Sequence, residues 1–125
     1  MLDLKALLTK ILQLLIVKDI SASFTFTSAW TGIVKKAFLV GGKLVVFALE
    51  GNAGTIVGGT QYTMAQVASP YKPSTAIPHT GHVTNASYVA TGFANCWVWA
   101  DGDITIRASN GNGNYVFFTG WYILK

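Results

Sequence analysis

The chain has 125 residues, of which 51% are hydrophobic and only 11% charged, and its formal net charge is +4. Since this charged fraction is less than half of the roughly 25% of ordinary domains, either a membrane or further copies of the chain must cover apolar surface. No run approaches the roughly 18 apolar residues of a membrane-spanning helix, and the basic residues are scattered, unlike those of nucleic-acid-binding proteins. We therefore expect an oligomer without membrane insertion and without a nucleic-acid partner.

The first element is a predicted amphipathic helix over residues 3–17. Its leucine and isoleucine side chains fall within an arc of about 120°, and a lone helix of this length is marginal in water. The apolar stripe must therefore pack on its own β-domain, on copies of itself or on a membrane surface, which is disfavoured by only two lysines on the polar face. Four residues of the stripe fit a short coiled-coil seam and are predicted oligomer contacts: Leu4, Leu8, Ile11 and Leu15.

Two interpretations compete for this amino-terminal segment. Residues 7–17 have the apolar character of a signal peptide, with Ser21-Ala22-Ser23 as a small-residue cleavage site, but Asp3, Lys10 and Gln13 fit that pattern poorly. We therefore predict a helical unit over residues 1–19, which either packs on its own chain or pairs with copies of itself. A β-domain over residues 20–125 follows it.

After Asp19 the apolar period changes to the alternation of β-strands. Residues 21–27 predict one strand, and residues 33–40 and 43–50 predict a hairpin around a glycine pair. Pairing across a two-residue turn puts five apolar residues on the second face of this hairpin, the three named below with Ala37 and Ala48, although a solvated sheet face should be polar. Three of them are predicted to contact another subunit or, alternatively, a second sheet of the same chain: Leu39, Leu44 and Val46.

The rest of the chain predicts further strands and turns. Residues 51–59 are rich in glycine and predict a flexible connection, since they lack the spacing of a phosphate-binding loop. Strands are predicted over 62–68, 75–88 and 88–93. Strand 115–124 is apolar on both faces, which is typical of a central or interface strand.

A second hairpin is predicted over residues 96–107. Asp101-Gly102 suits a two-residue turn, since these residues tolerate positive φ angles. The resulting register pairs Trp99 with Ile104 and Trp97 with Ile106. It therefore predicts that both tryptophans belong to the core and not to a sugar-stacking surface.

Residue types that support catalysis or metal binding are few. None of the five carboxylates is predicted to form an enclosed acid–base pair, and Cys96, the single cysteine, reads as a small buried side chain. His79 and His82 supply too few ligands for a closed metal site, unless a threefold axis gathers one from each of three chains. We expect no enzymatic activity and no cofactor.

Several short motifs follow one another in a defined order between about residues 28 and 124. They are Trp30-Thr-Gly-Ile-Val34, Gly42-Lys-Leu-Val-Val-Phe47 with Gly51-Asn52, Thr63-Met-Ala-Gln-Val-Ala-Ser-Pro-Tyr-Lys-Pro-Ser74, Asp101-Gly-Asp-Ile-Thr-Ile106, and Asn114-Tyr-Val-Phe-Phe118 closing at Tyr122. In this order they resemble the carboxy-terminal domains of bacteriophage tail, baseplate and fibre proteins, especially those of phages of Gram-positive bacteria.

This resemblance implies a mainly β fold, an antiparallel β-sandwich or jelly-roll head with a short amino-terminal amphipathic helix. It also implies a homotrimer in which the helical unit of residues 1–19 is a trimerising neck. This trimer would lie on the virion, at the tail, baseplate or capsid surface, where it contacts other virion proteins, and it would be assembled in the bacterial host cytoplasm. Such heads bind a host cell-surface polysaccharide. The alternatives are a virion decoration protein without glycan binding, a secreted signalling jelly-roll and, least favoured, a hydrolase.

The resemblance carries over no receptor-binding residue, because receptor loops vary between members of this class. Candidates follow only from residue type, as polar and aromatic groups in predicted loops. They are Tyr71, Lys72, His79, His82, Asn85, Asn110, Asn112 and Asn114.

Overall fold

The computed structural model describes residues 3–109 and 112–124, without the side chains of Leu14 and Leu15. Within these ranges one helix and nine strands are joined by short turns, including a 3-10 turn at Ser21–Ser23. The elements are α1 (Leu4–Leu15), β1 (Val17–Asp19), β2 (Phe24–Phe26), β3 (Thr31–Val40), β4 (Leu44–Ile56), β5 (Gln61–Val67), β6 (Ile77–Thr84), β7 (Ala90–Val98), β8 (Asp103–Ala108) and β9 (Gly113–Ile123).

All nine strands belong to one antiparallel sheet in the order β1-β3-β4-β9-β6-β7-β8-β5-β2. A twisted sheet of this size tends to curl, and here its two ends approach each other. The ring of Phe24, on the last strand of this order, stacks on Phe47, on the third, with a centroid distance of 5.8 Å. The curled sheet confirms the predicted fold class, a mainly β antiparallel head with a short amino-terminal helix.

The core fills the inside of the curl. Alternate residues of β4, including Val45 and Leu49, are fully buried, and they pack with Phe118 of β9 and Ile106 of β8. Alternation places every second side chain of a strand on the same face, so the remaining side chains of these strands point outward. We call this outward side of the sheet the outer face.

The helix begins at a side-chain cap. The Asp3 carboxylate accepts hydrogen bonds from the backbone amides of Lys5 and Ala6, at 3.0 and 3.2 Å, which satisfies amides that have no partner within the helix. The predicted helix is thereby confirmed. No helix within the described ranges has the length and apolar character needed to cross a membrane.

The apolar stripe of α1 faces solvent. Leu4 is 65% exposed, and Leu8 and Ile11 are also exposed, while the side chain of Leu15 lies outside the described part. These three side chains are therefore exposed in the single chain, and the surface on which the helix packs stays a prediction.

The β3–β4 hairpin differs from its prediction by one residue. Val40 lies opposite Leu44, so the turn has three residues, and two of them are glycines with φ angles of 61° and 72°. A shift of one residue moves a whole strand to the other face. Leu39 therefore lies opposite Val45 and packs against the core, and the prediction that it shares a face with Leu44 and Val46 is wrong.

The β7–β8 hairpin differs in the same way. Gly102, with a φ angle of 97°, closes the turn by donating its amide to the carbonyl of Trp99 at 2.9 Å. Val98 thus lies opposite Ile104, and both are buried. The prediction that the tryptophans belong to the core is wrong, because Trp97 and Trp99 lie half-buried on the outer face.

Two other predicted segments also differ. The glycine-rich segment is not a loop at its start, since β4 continues to Ile56 with an irregularity opposite β9. Gly51 is buried there, and a β-carbon at this position would lie 2.9 Å from the ring of Phe26 and 3.0 Å from that of Trp30. The glycine therefore permits close packing. Of the strand predicted over 21–27, only Phe24–Phe26 forms a strand.

Candidate functional site

A cleft of about 450 Å³ opens on the outer face of two paired strands, β6 and β7. β6 pairs with β7 along its length, but it pairs with β9 only over His82–Thr84. Beyond that point β9 continues alongside β4 to Ile123. The cleft, which we call the Trp97 cleft, is lined by Pro78, His79, Thr80, Asn95 and Trp97.

His79 bridges the two separated strands. Its Nε2 lies 3.2 Å from both the amide nitrogen and the carbonyl oxygen of Trp121 on β9, and the tautomer decides which of these contacts is the hydrogen bond. The ring packs edge-on against Phe47 at 5.5 Å. A β-carbon on Gly120 would lie 2.4 Å from this ring, so glycine is needed there. His79 is thus a fixed wall of the cleft.

Trp97 and Trp99 form an aromatic wall. Their rings stack with a centroid distance of 5.3 Å and an interplanar angle of 21°. The Trp99 indole donates a hydrogen bond of 2.8 Å to the Thr105 hydroxyl, which fixes the orientation of the Trp99 ring. Because both rings are only half-buried, the pair presents apolar surface to solvent in a fixed orientation.

The polar groups of the cleft stand beside this aromatic wall. Thr80 lies opposite Asn95, and Pro78 lies opposite Trp97, so that these four residues share the outer face. A hydroxyl and a side-chain amide together offer both donors and acceptors. An apolar ring face with a few convergent polar groups suits a ligand that has an apolar face and a hydroxylated rim.

A second groove, of about 490 Å³, lies at the β2 edge of the sheet. It contains Lys72 and Asp101, but it has no aromatic wall, and one of its polar groups is already engaged. The Gln66 amide donates a hydrogen bond of 2.8 Å to the Asp103 carboxylate. The lining residues are Ser23, Thr25, Gln66, Val67, Ala68, Ser69, Lys72 and Asp101.

The predicted receptor-binding residues do not form one site. Lys72 lines the second groove. Tyr71 is partly buried. Its hydroxyl accepts a hydrogen bond from Lys18, and its backbone carbonyl accepts one from the Tyr122 hydroxyl. His79 lies in the Trp97 cleft. His82 is exposed on the same strand, with its ring 5.9 Å from that of Phe93.

The predicted asparagines lie at the other end of the strands and organise turns. The side-chain oxygen of Asn85 accepts from the amides of Ser87 and Val89, and that of Asn112 accepts from the Gly58 amide at 3.3 Å. Asn114 donates its side-chain amide to the carbonyl of Gly54. Asn110 lies outside the described residues.

The sequence prediction missed most of the Trp97 cleft. Alternation from Phe93 to Trp97 places Asn95 on the same face as Trp97, and this signal was available in the sequence. The register of a two-residue turn assigned that face to the core, so Trp97 was predicted to be buried and not to line a cleft. The missed residues are Pro78, Thr80, Asn95 and Trp97.

The described residues provide no cluster of three or more potential metal ligands. Burial raises the pKa of the Cys96 thiol to about 12, so the thiol stays protonated at neutral pH and is a poor nucleophile. Its side chain belongs to the core next to Ile106.

The fold is that of the receptor-binding heads of phages. The crystal structure of the head domain of phage bIL170, described among the receptor-binding domains of lactococcal phages, is similar to this chain with a TM-score of 0.68. The match covers 88% of this chain and 100% of that domain at 12% sequence identity. No family model and no curated protein matches the sequence. The predicted resemblance to phage receptor-binding heads is confirmed, and at this identity the confirmation concerns the fold.

Proposed function

We propose that the chain is a bacteriophage virion protein whose β-domain binds a saccharide of the host cell surface in the Trp97 cleft. The observation that supports this function is the half-buried Trp97–Trp99 stack on the outer face, beside the cleft and its polar groups. The C–H face of a sugar ring packs on an aromatic face, and its hydroxyls hydrogen-bond to groups such as those of Thr80 and Asn95.

We propose further that three copies assemble around the remaining apolar part of the outer face. On adjacent strands Phe38, Val46 and Trp121 lie side by side, and Val40, Leu44 and Ile123 form the next row. Trp121 and Ile123 are each 59% exposed. Contiguous apolar surface of this kind marks interaction sites, and the threefold arrangement follows the fold resemblance.

The helix stripe belongs to the same proposed interface. β1 begins two residues after α1 and places Val17 opposite Val40, at the end of the outer face where the second apolar row lies. The neck would be formed by residues 1–19, through a stripe that includes the exposed Leu4, Leu8 and Ile11, and the head by residues 20–125. We retain Leu44 and Val46 as interface residues and withdraw Leu39, which packs inward.

A virion protein of this kind would be assembled in the host cytoplasm, and its neck would contact other virion proteins. We propose no catalytic role. This is consistent with the protonated thiol of Cys96 and with a cleft whose polar groups are a histidine, a threonine and an asparagine.

The test combines light scattering with retention on immobilised cell-wall polysaccharides from a panel of Gram-positive bacteria. The full-length chain should be a trimer that binds at least one polysaccharide. Trp97→Ala should lower that affinity by about tenfold or more, because an aromatic stack contributes about 1 kcal/mol beyond its buried area. Val57→Ala, which removes an exposed side chain in the turn after β4, outside the residues that line the cleft, should bind like the wild type. An intact trimer that retains none of the polysaccharides would leave only a structural virion role.

A further inference from the structure

A second aromatic surface lies at the end of the outer face that is remote from the helix. The rings of Tyr88 and Tyr115 stack with a centroid distance of 4.8 Å and an interplanar angle of 23°. Tyr115 is half-buried, but Tyr88 is 59% exposed, so one face of its ring remains open to solvent. We call this pair the tyrosine platform.

The backbone holds Tyr88 in an unusual conformation. Its φ angle is 61°, and it is the one residue other than glycine with a positive φ within the described ranges. A bulky side chain is disfavoured in this region. The conformation is imposed by Asn85, whose carbonyl accepts from the Tyr88 amide at 3.0 Å and whose side-chain oxygen accepts from the amides of Ser87 and Val89 at 2.9 and 3.0 Å.

An exposed aromatic ring at such a position needs a reason. Glycine or asparagine would adopt this backbone conformation more easily, and core packing does not require a ring that is mostly exposed. Strained residues that persist in a well-determined turn are concentrated at functional sites. The turn therefore presents the ring, because its hydrogen bonds fix the direction of the side chain before any ligand arrives.

The position of the platform fits contact with a surface beyond the virion. Tyr115 lies opposite Asn52 on β4 and opposite Thr84 on β6, whereas Ile123 lies opposite Leu44 at the helix end. The eight residue steps from Ile123 to Tyr115 span about 27 Å along β9 at roughly 3.4 Å per step. In the proposed virion protein the helix joins the neck, so the platform is at the end that points away from it.

The charge around the platform indicates which ligands it accepts. Glu50 lies on β4 opposite Phe117, two residues from Asn52, which lies opposite Tyr115. Partial desolvation raises the pKa of the Tyr88 hydroxyl, and Tyr115 and the Glu50 carboxylate raise it further. A carboxylate accepts hydrogen bonds from hydroxyl groups, but it repels phosphate and carboxylate groups. A single-stranded nucleic acid would also stack on aromatic rings, but it requires a basic groove.

We propose that the tyrosine platform is a second saccharide subsite, which stacks on an uncharged hexopyranose ring of the same polysaccharide that the Trp97 cleft binds. This inference rests on the proposed function. Thr84, next to the platform, and Pro78, next to Trp97, lie six residues apart on β6, which corresponds to about 20 Å. A polysaccharide that occupies both places gains affinity through a high effective concentration at the second one, whereas a single sugar does not.

The experiment measures affinity of the full-length wild type and of variants for two probes. The probes are the cell-wall polysaccharide retained in the panel experiment and the same polysaccharide hydrolysed to single sugars. Tyr88→Gly and Tyr88→Asn remove the ring and relieve the backbone strain, so both should fold with unchanged or raised melting temperatures. Tyr88→Phe keeps the ring face. Val89→Ala is the matched control, since Val89 is equally exposed in the same turn.

We expect Tyr88→Gly and Tyr88→Asn to lower polysaccharide affinity about tenfold and to leave single-sugar affinity unchanged. Tyr88→Phe and Val89→Ala should stay within about twofold of the wild type, and the Tyr88 effect should not depend on salt, because an uncharged ring is not screened. If Trp97→Ala weakens binding but Tyr88→Gly does not, the platform is refuted and the proposed function stands. If the wild type binds no polysaccharide, both are refuted.

Discussion

Replacement of Trp121 by alanine tests the proposal that copies of the chain cover the outer face. Trp121 is 59% exposed in the single chain, which is about 150 Å² of the roughly 250 Å² of a tryptophan. At about 25 cal/mol per Å², full burial of this area contributes about 4 kcal/mol per subunit. Part of this gain is offset by the ordering of side chains at an interface. We therefore expect Trp121→Ala to raise the dissociation constant between subunits by at least about tenfold.

The assay is sedimentation equilibrium or light scattering over a dilution series, with far-UV circular dichroism to show that the fold is retained. The monomer should accumulate at higher protein concentration in Trp121→Ala than in the wild type. Val57→Ala is the control, because Val57 is also exposed but lies in the turn after β4, away from Trp121. A wild type that is monomeric throughout, or a Trp121→Ala variant that dissociates like the wild type, would refute the reasoning.

Three further predictions concern the fold itself. Gly102→Ala should lower the free energy of unfolding by about 2–4 kcal/mol in a denaturant titration, because φ is 97° and the new β-carbon would lie 2.4 Å from a backbone carbonyl oxygen. Gly42→Ala, at a φ of 72° with no atom within 4 Å, should lose only about 1 kcal/mol; equal losses would contradict the role of the close contact. The Cys96 thiol, whose pKa burial raises to about 12, should react with a thiol reagent at neutral pH only as fast as the protein unfolds; rapid labelling of the folded chain would contradict this. Hydrogen bonds from Ser21 lower the pKa of Asp19 below 3.8, so this carboxylate stabilises the fold at neutral pH and loses that effect as the pH falls below about 3.8. The difference in melting temperature between the wild type and Asp19→Asn should therefore shrink on acidification, and a constant difference would contradict the assignment.

Local features were sufficient to predict the helix and most of the strands. The stripe that recurs every three to four residues predicts a helix that the structure confirms as Leu4–Leu15. Apolar runs bounded by turn residues likewise predict the body of β3, β4, β5 and β9. These signals are reliable because each depends on neighbours within a few residues, whether through a helical turn or through the two-residue period of a strand.

The same local signals failed for the length of two turns. Gly41-Gly42 and Asp101-Gly102 both fit a two-residue turn, but the turn of each hairpin contains three residues. Because the side-chain period of a strand is two, one residue decides which face each side chain occupies. With turns one residue too short, the prediction placed Leu39 on the outer face and both tryptophans in the core, so it did not include the Trp97 cleft.

The sequence by itself determined that this protein has an amphipathic helix followed by a mainly β antiparallel domain, and its low charged fraction predicts apolar surface outside the core. Only the tertiary structure decided which apolar residues face outward and which of them meet. His79 on β6 contacts the backbone of Trp121 on β9, 42 positions away in the chain, where these two strands are no longer paired. The turn at Asn85 stacks the ring of Tyr88 on that of Tyr115. Such contacts depend on strand register and on the curl of the whole sheet, and both are set by packing between segments that are distant in the chain.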